Sequence, residues 1–176
     1  MDTQWPRYEV FKQDSPHKAH EAVGSVHAPD AEMALLQARD VFVRRPSAVS
    51  LWVVPETAVF AITAEEIAAN PVPPLPPIAT HAQTYLVFTK TSQRRSMTFV
   101  RHVGEIVAAT PQIALQLAME SGRFNEDAVF VWWLVPESAI TRSEPGDIDS
   151  LFTPAHDKTY RQQSYYGFVS PTRNRK

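Results

Sequence analysis

The chain has 176 residues, 44% of them hydrophobic and 20% charged, with a formal net charge of −2 at pH 7. That balance offers no broad attraction to nucleic acid or to an anionic membrane surface. The absence of cysteine excludes disulfides, cysteine-held iron–sulfur clusters and thiol nucleophiles.

In chain order, Met1-Asp2-Thr3-Gln4-Trp5 lacks the basic and apolar regions of a signal peptide, and no apolar run approaches a membrane span. A soluble, cytoplasmic protein is expected. Tyr8 to Lys12 reads as a strand, rich in aromatic and β-branched residues. Residues 13–21 are polar, include Pro16, and read as a loop; Val23 to His27 is a second strand. Asp30 is suited to cap a helix, with Glu32 in the first turn complementing the helix dipole. Ala31, Ala34, Leu35, Ala38 and Phe42 recur at helical spacing, and the small alanines let that helix lie close on a sheet. Arg44-Arg45 and then Pro46 mark its end. Val49 to Val54 is a third strand, apolar at nearly every position. A strand of that kind is covered on both faces, and one helix covers only one of them. The second cover must come from elsewhere in the chain, from another chain, or from both.

Thr63-Ala64-Glu65-Glu66 opens a short helix. Pro71-Val72-Pro73-Pro74-Leu75-Pro76-Pro77 is a stiff, extended linker. It contains PxxP spacing, which can serve as an SH3-type ligand, but a spacer explains it fully.

Beyond the linker the pattern returns. Tyr8-Glu9-Val10-Phe11 reappears as Tyr85-Leu86-Val87-Phe88, and Val23-Gly24-Ser25-Val26 as Val103-Gly104-Glu105-Ile106. Ala34-Leu35 reappears as Ala114-Leu115, now behind a Thr110 cap with Pro111 at the first helical position. Leu51-Trp52-Val53-Val54-Pro55-Glu56 reappears as Trp132-Trp133-Leu134-Val135-Pro136-Glu137. Four blocks in one order point to an internal duplication. The expected fold is α+β, built from two β-β-α-β units related by a pseudo-two-fold. Each unit is a small three-stranded sheet with its first strand central and one helix packed on it. The expected divisions are a first unit at 1–70, the linker at 71–80, a second unit at 81–143, and an extended arm at 144–176. The arm carries Phe152, Tyr160, Tyr165, Tyr166 and Phe168 together with Lys158, Arg161, Arg173, Arg175 and Lys176. Arms that are both aromatic and basic commonly dock on a neighbour.

Reactive constellations are weak throughout. His17 and His20 form the one close histidine pair, on a polar loop; a solvated loop is the better reading than a metal site. No Glu-x-x-His occurs, the glycines are too scattered for a phosphate loop, and there is no Gly-x-Ser-x-Gly elbow. His27 is replaced by Val107 in the second stretch, which argues against a catalytic base. Trp52, matched by Trp133, is either core or an interface anchor. Arg44-Arg45 either pairs an anionic group or is a solvated helix end.

Taken together, Trp5-Pro6-x-Tyr8-Glu9-Val10-Phe11, Val23-Gly24-Ser25-Val26-His27-Ala28, Met33-Ala34-Leu35-x-x-Ala38-Arg39-Asp40, Arg44-Arg45 and Ser50-Leu51-Trp52-Val53-Val54 resemble the PaaB family of phenylacetyl-CoA epoxidase subunits. Behind the second stretch, Phe152-Thr153-Pro154-Ala155-His156-Asp157-Lys158-x-Tyr160-Arg161 and Tyr165-Tyr166 resemble that family's C-terminal arm. Typical members are single units about half this length that pair as homodimers; two units in one chain is a departure. The resemblance implies a non-catalytic bridging subunit of a multicomponent di-iron monooxygenase acting on phenylacetyl-CoA or a related aromatic acyl-CoA. Its implied partners are a ferritin-like catalytic chain and that chain's companion. Di-iron and the flavin and iron–sulfur groups are expected in partner subunits, with no cofactor or metal in this chain. The residues expected at partner interfaces are Trp5, Arg44, Arg45, Tyr160, Arg161, Tyr165 and Tyr166. The competing expectation is a stand-alone acyl-CoA binding or sensor module using a groove between the two units. An independent enzyme is the third and weakest reading.

Overall fold

A computed structural model describes residues 4–43, 48–70, 82–92, 99–124 and 128–157. The first strands are β1 (Arg7–Gln13), β2 (Glu21–His27) and β3 (Ser50–Pro55), with helix α1 (Ala31–Phe42) between β2 and β3. β1 is central, antiparallel to both neighbours. The later set repeats that pairing: β5 (Gln83–Lys90) lies between β6 (Arg101–Ala108) and β7 (Val131–Pro136), with α3 (Pro111–Glu120) between β6 and β7.

The expectation of two separate three-stranded sheets is corrected. The strands form one eight-stranded sheet in the order β4-β7-β5-β6-β2-β1-β3-β8. Two short strands that the alternation did not reveal complete it. Strand β4 (Phe60–Thr63) follows β3 in the chain but pairs with β7, and β8 (Thr141–Arg142) follows β7 but pairs with β3. Each set of strands is therefore edged by a strand from the other. A single turn of 3-10 helix begins each crossing, at Glu56–Ala58 and Glu137–Ala139, directly after Pro55 and Pro136. In the middle, β2 and β6 meet at Glu21 opposite Arg101. Flanking bonds run from Ala22 N to Val100 O at 2.8 Å and from His102 N to His20 O at 2.9 Å.

Strand alternation sorts side chains to two faces. Tyr8, Val10, Leu51 and Val53 point under α1, whose buried stripe is Ala34, Leu35 and Ala38. Tyr85, Val87, Trp132 and Leu134 point under α3, whose stripe is Ala114, Leu115 and Ala118. The opposite faces meet each other: Phe11 and Val54 pack with Leu86, Phe88, Val131 and Val135 in a third cluster. The near-continuous apolar runs of β3 and β7 are thus covered by a helix on one side and by the other strand set on the other.

The helix signals act as read. Asp30 Oδ1 accepts from Met33 N at 2.8 Å, and Thr110 Oγ1 from Ile113 N at 3.3 Å. Thr63 and Glu66 form a reciprocal capping box on α2 (Ala64–Ala69). The repeated Val-Gly has a steric cause. Gly24 and Gly104 adopt φ of +142° and +154°, and a Cβ there would meet Phe42 Cζ at 2.9 Å and Phe124 Cε1 at 2.8 Å. Both glycines adjoin a register shift against the neighbouring strand. The backbone bends where an aromatic ring lies against it.

The arm expected from 144 onward begins differently. Pro145–Asp147 is a 3-10 turn, followed by short helices α4 (Ile148–Leu151) and α5 (Pro154–Asp157). Leu151, Phe152 and Ala155 are buried in the cluster under α1. Phe152, expected on a docking arm, is instead core, because the turn at 145–147 brings it back onto the first strand set.

Candidate functional site

Of the residues expected at partner interfaces, Trp5 is described; Arg44, Arg45, Tyr160, Arg161, Tyr165 and Tyr166 lie outside the described residues. Trp5 is 56% exposed. Its carbonyl lies 3.0 Å from His27 Nδ1, and Ala28 N donates to Pro6 O at 3.1 Å. These bonds anchor the backbone at Trp5 to the end of β2 and leave the indole outward. His27 thereby has a positioning role on the chain entry.

Apolar side chains are also exposed on both helices: Met33, Leu36 and Val41 on α1, and Leu117 and Met119 on α3. On β6, Val103 and Val107 face outward, the latter 63% exposed.

The polar centre of the molecule is at the β2–β6 seam, and sequence reasoning missed it. His20 is 6% exposed, which corrects its placement on a solvated loop. Its ring stacks on Trp52 (centroids 3.5 Å apart, 18° between planes), and its Nε2 is 3.0 Å from Ser50 Oγ. His102 meets Trp52 edge-on at 5.5 Å and Phe88 at 5.2 Å. Arg142 of β8 covers Trp52, 5.1 Å from the ring centroid. Trp52 is therefore neither plain core nor an exposed anchor; it is the half-buried plate joining both strand sets. Burial pushes His20 down to about 3, helped by His102 and Arg142. Burial also holds His102 below the ordinary imidazole range, against the opposing pull of Glu105. Both rings are neutral at pH 7. A signal for this cluster did exist: His20, Ser50 and His102 stand where the other stretch has Val100, Val131 and Ala22. One end of the core between the strand sets is polar and the other, with Ala22, Val100 and Val131, is apolar.

A second buried charge lies on β1. Glu9 is 3% exposed and pairs with Arg7 Nη2 at 2.8 Å, while Arg7 Nη1 reaches Glu56 at 3.3 Å. Glu9 Oε2 and Arg7 Nε have no hydrogen-bond partner among the described residues. Burial raises the Glu9 carboxyl above its usual value despite Arg7. Leu86 occupies the corresponding place in the second stretch.

Two clefts flank the seam. One, of about 400 Å³, is lined by Lys12, Asp14, Lys18, Glu21, Phe99 and Arg101 among others, so both strand sets contribute. The other, of about 410 Å³, is lined by Thr89, Thr91, Arg101, His102, Arg123 and Phe124 with Val103. Among the described residues, no group of three or more histidine or carboxylate side chains is placed to hold a metal ion. No helix among them is long and apolar enough to cross a membrane.

The chain is thus an α+β protein in which one antiparallel sheet carries a helix on each strand set and a filled core between the sets. By sequence the chain belongs to the PaaB family, described as phenylacetic acid degradation B, whose profile matches residues 4–73 and 81–173. It is similar to a subunit of the 1,2-phenylacetyl-CoA epoxidase of Escherichia coli (strain K12), with 45% identity over 62 residues. That stretch is 35% of this chain and 65% of the relative, so less than two thirds of the relative is spanned. No solved structure matches the chain.

Proposed function

We propose that this chain is a non-catalytic bridging subunit of a multicomponent ring epoxidase in the cytoplasm, acting on phenylacetyl-CoA or a related aromatic acyl-CoA. Its partners in this reading are a ferritin-like catalytic chain and that chain's companion. The iron pair belongs to the catalytic chain and the flavin and iron–sulfur groups to a reductase; this chain holds its neighbours in register. The observation that carries the reading is the set of exposed apolar side chains, Met33, Leu36 and Val41 on α1 and Leu117 and Met119 on α3, in a chain of this family.

The same reading takes the two stretches as fused copies of one unit. Fusion makes their pairing intramolecular, at an effective concentration of roughly millimolar or more. It also frees the two faces to diverge toward different partners. Trp5 and the arginines and tyrosines at 44–45 and 160–166 are the proposed contacts.

Co-purification with the ferritin-like chains tests this. The chain cut after Asp157 keeps Leu151, Phe152 and Ala155 in place and is expected to stay folded while losing those partners. Leu36→Arg and Leu117→Arg are expected to weaken capture with unchanged thermal stability. Full capture by all three variants refutes the reading.

The alternative, a stand-alone acyl-CoA binding module, is favoured by the cleft to which both strand sets contribute. It requires a saturable thermal shift with acyl-CoA in the absence of other subunits.

A further inference from the structure

The two clefts beside the seam share Arg101 and a similar backbone setting but differ in charge chemistry. Thr89, Thr91 and Arg101 stand in the second stretch where Lys12, Asp14 and Glu21 stand in the first. The first cleft neutralises itself: Asp14 lies 3.0 Å from Lys12 Nζ and 3.7 Å from Lys18 Nζ. The second cleft has two arginines and two threonines along its walls, and no carboxylate among the described residues that line it. Among the described residues, neither Arg101 nor Arg123 makes an ion pair. Glu21 faces Arg101 across the seam without pairing with it.

We propose that the cleft formed by Thr89, Thr91, Arg101 and Arg123 binds a small organic phosphate. Its volume of about 410 Å³ falls in the range of small-molecule sites. Guanidinium groups present planar forks of donors that match phosphate oxygens two at a time. A tetrahedral phosphate has enough oxygens to use two such forks and the hydroxyls together; a carboxylate has two oxygens. Arg123 is steadied over the Phe124 ring, 5.5 Å from its centroid, and that ring is itself seated on Gly104. The donors are therefore partly preorganised, which lowers the ordering cost of binding. None of Met33, Leu36, Val41, Leu117 and Met119 lines the cleft, so either assignment can fail alone.

The probe is pyrophosphate, titrated calorimetrically into the full chain at physiological salt, with a glutamate-rich peptide as the carboxylate arm. Saturable binding of pyrophosphate is expected, weaker by about tenfold or more in the Arg101→Gln/Arg123→Gln double variant. Lys12→Gln/Lys18→Gln in the other cleft is expected to leave it unchanged. Glu21→Gln, which removes the acid facing Arg101, is expected to tighten it about twofold or more. Circular dichroism and melting of each variant establish that it is folded. The proposal is overturned by no saturable heat with pyrophosphate, by equal affinity in the arginine double variant, or by tighter binding of the peptide than of pyrophosphate.

Discussion

Phe11 and Phe88 hold the same place in the two similar stretches, and their rings meet each other with centroids 4.3 Å apart. Trp133 closes against Phe11 edge-on at 6.1 Å. Both phenylalanines are fully buried. The contact joins the two strand sets through their inner faces, so its loss weakens both at once. Phe11→Ala or Phe88→Ala is expected to cost about 3–5 kcal/mol, from lost transfer energy and the cavity left behind. Chemical denaturation checks this. Each variant should show one transition at lower denaturant; a second, unaffected transition would mean that the two sets fold independently.

The seam histidines make stability depend on pH. His20 is held down to about 3 in the fold, against an ordinary value of 6.5 in the unfolded chain. The unfolded chain therefore binds the proton first as the pH falls. The contribution of His20 is fully present above pH 6.5 and is lost progressively from 6.5 toward about 3. His102, also lowered, acts in the same direction. Urea unfolding at pH 7 and pH 5 is expected to show a marked loss at the lower value. The His20→Gln variant, which cannot titrate there, should lose less over the same interval. Parallel pH profiles for the two proteins would sink the assignment.

Glu9 offers a change in the other direction. Its carboxylate is buried with one oxygen unpartnered among the described residues, at a place where the second stretch has leucine. Replacing a buried ion pair by an apolar side chain of similar volume is often neutral or stabilising, whereas removing one partner strands the other charge. Glu9→Leu is expected to leave the melting temperature unchanged or raised, because Arg7 is 39% exposed and keeps Glu56 at 3.3 Å, so its charge is not stranded. Arg7→Ala is expected to destabilise by about 3 kcal/mol, since Arg7 supplies the close contact to Glu9. Thermal unfolding of the two variants side by side decides it, and the reverse order of effects would refute the account.

Gly24 and Gly104 are bound to glycine by both φ and contact. Gly104→Ala is expected to cost about 2 kcal/mol or more, combining positive-φ strain with displacement of the Phe124 ring. A second variant, Gly104→Ala/Phe124→Leu, relieves the clash but not the strain and should recover part of the loss. Denaturant midpoints for the pair measure both terms; a neutral Gly104→Ala would contradict the geometry.

Much of this protein was readable from its residues. The caps at Asp30 and Thr110, the buried alanine stripes of α1 and α3, and the six longer strands follow from spacing and local chemistry. Such signals act over a few residues and need no tertiary partner. The apolar runs at Val49 to Val54 and Val129 to Val135 also announced that a second cover was needed. What supplied that cover was decided by tertiary structure. β4 and β8 are too short for alternation to register, and each is stabilised by the strand it borders, β7 or β3, far along the chain. Phe152 reads as an arm residue until the turn at 145–147 folds it under α1. His20 reads as a loop residue until the β2–β6 crossing closes Trp52 over it. Local propensity is set by neighbours in the chain; burial of a histidine, pairing of a two-residue strand and the charge of a cleft are set by neighbours in space.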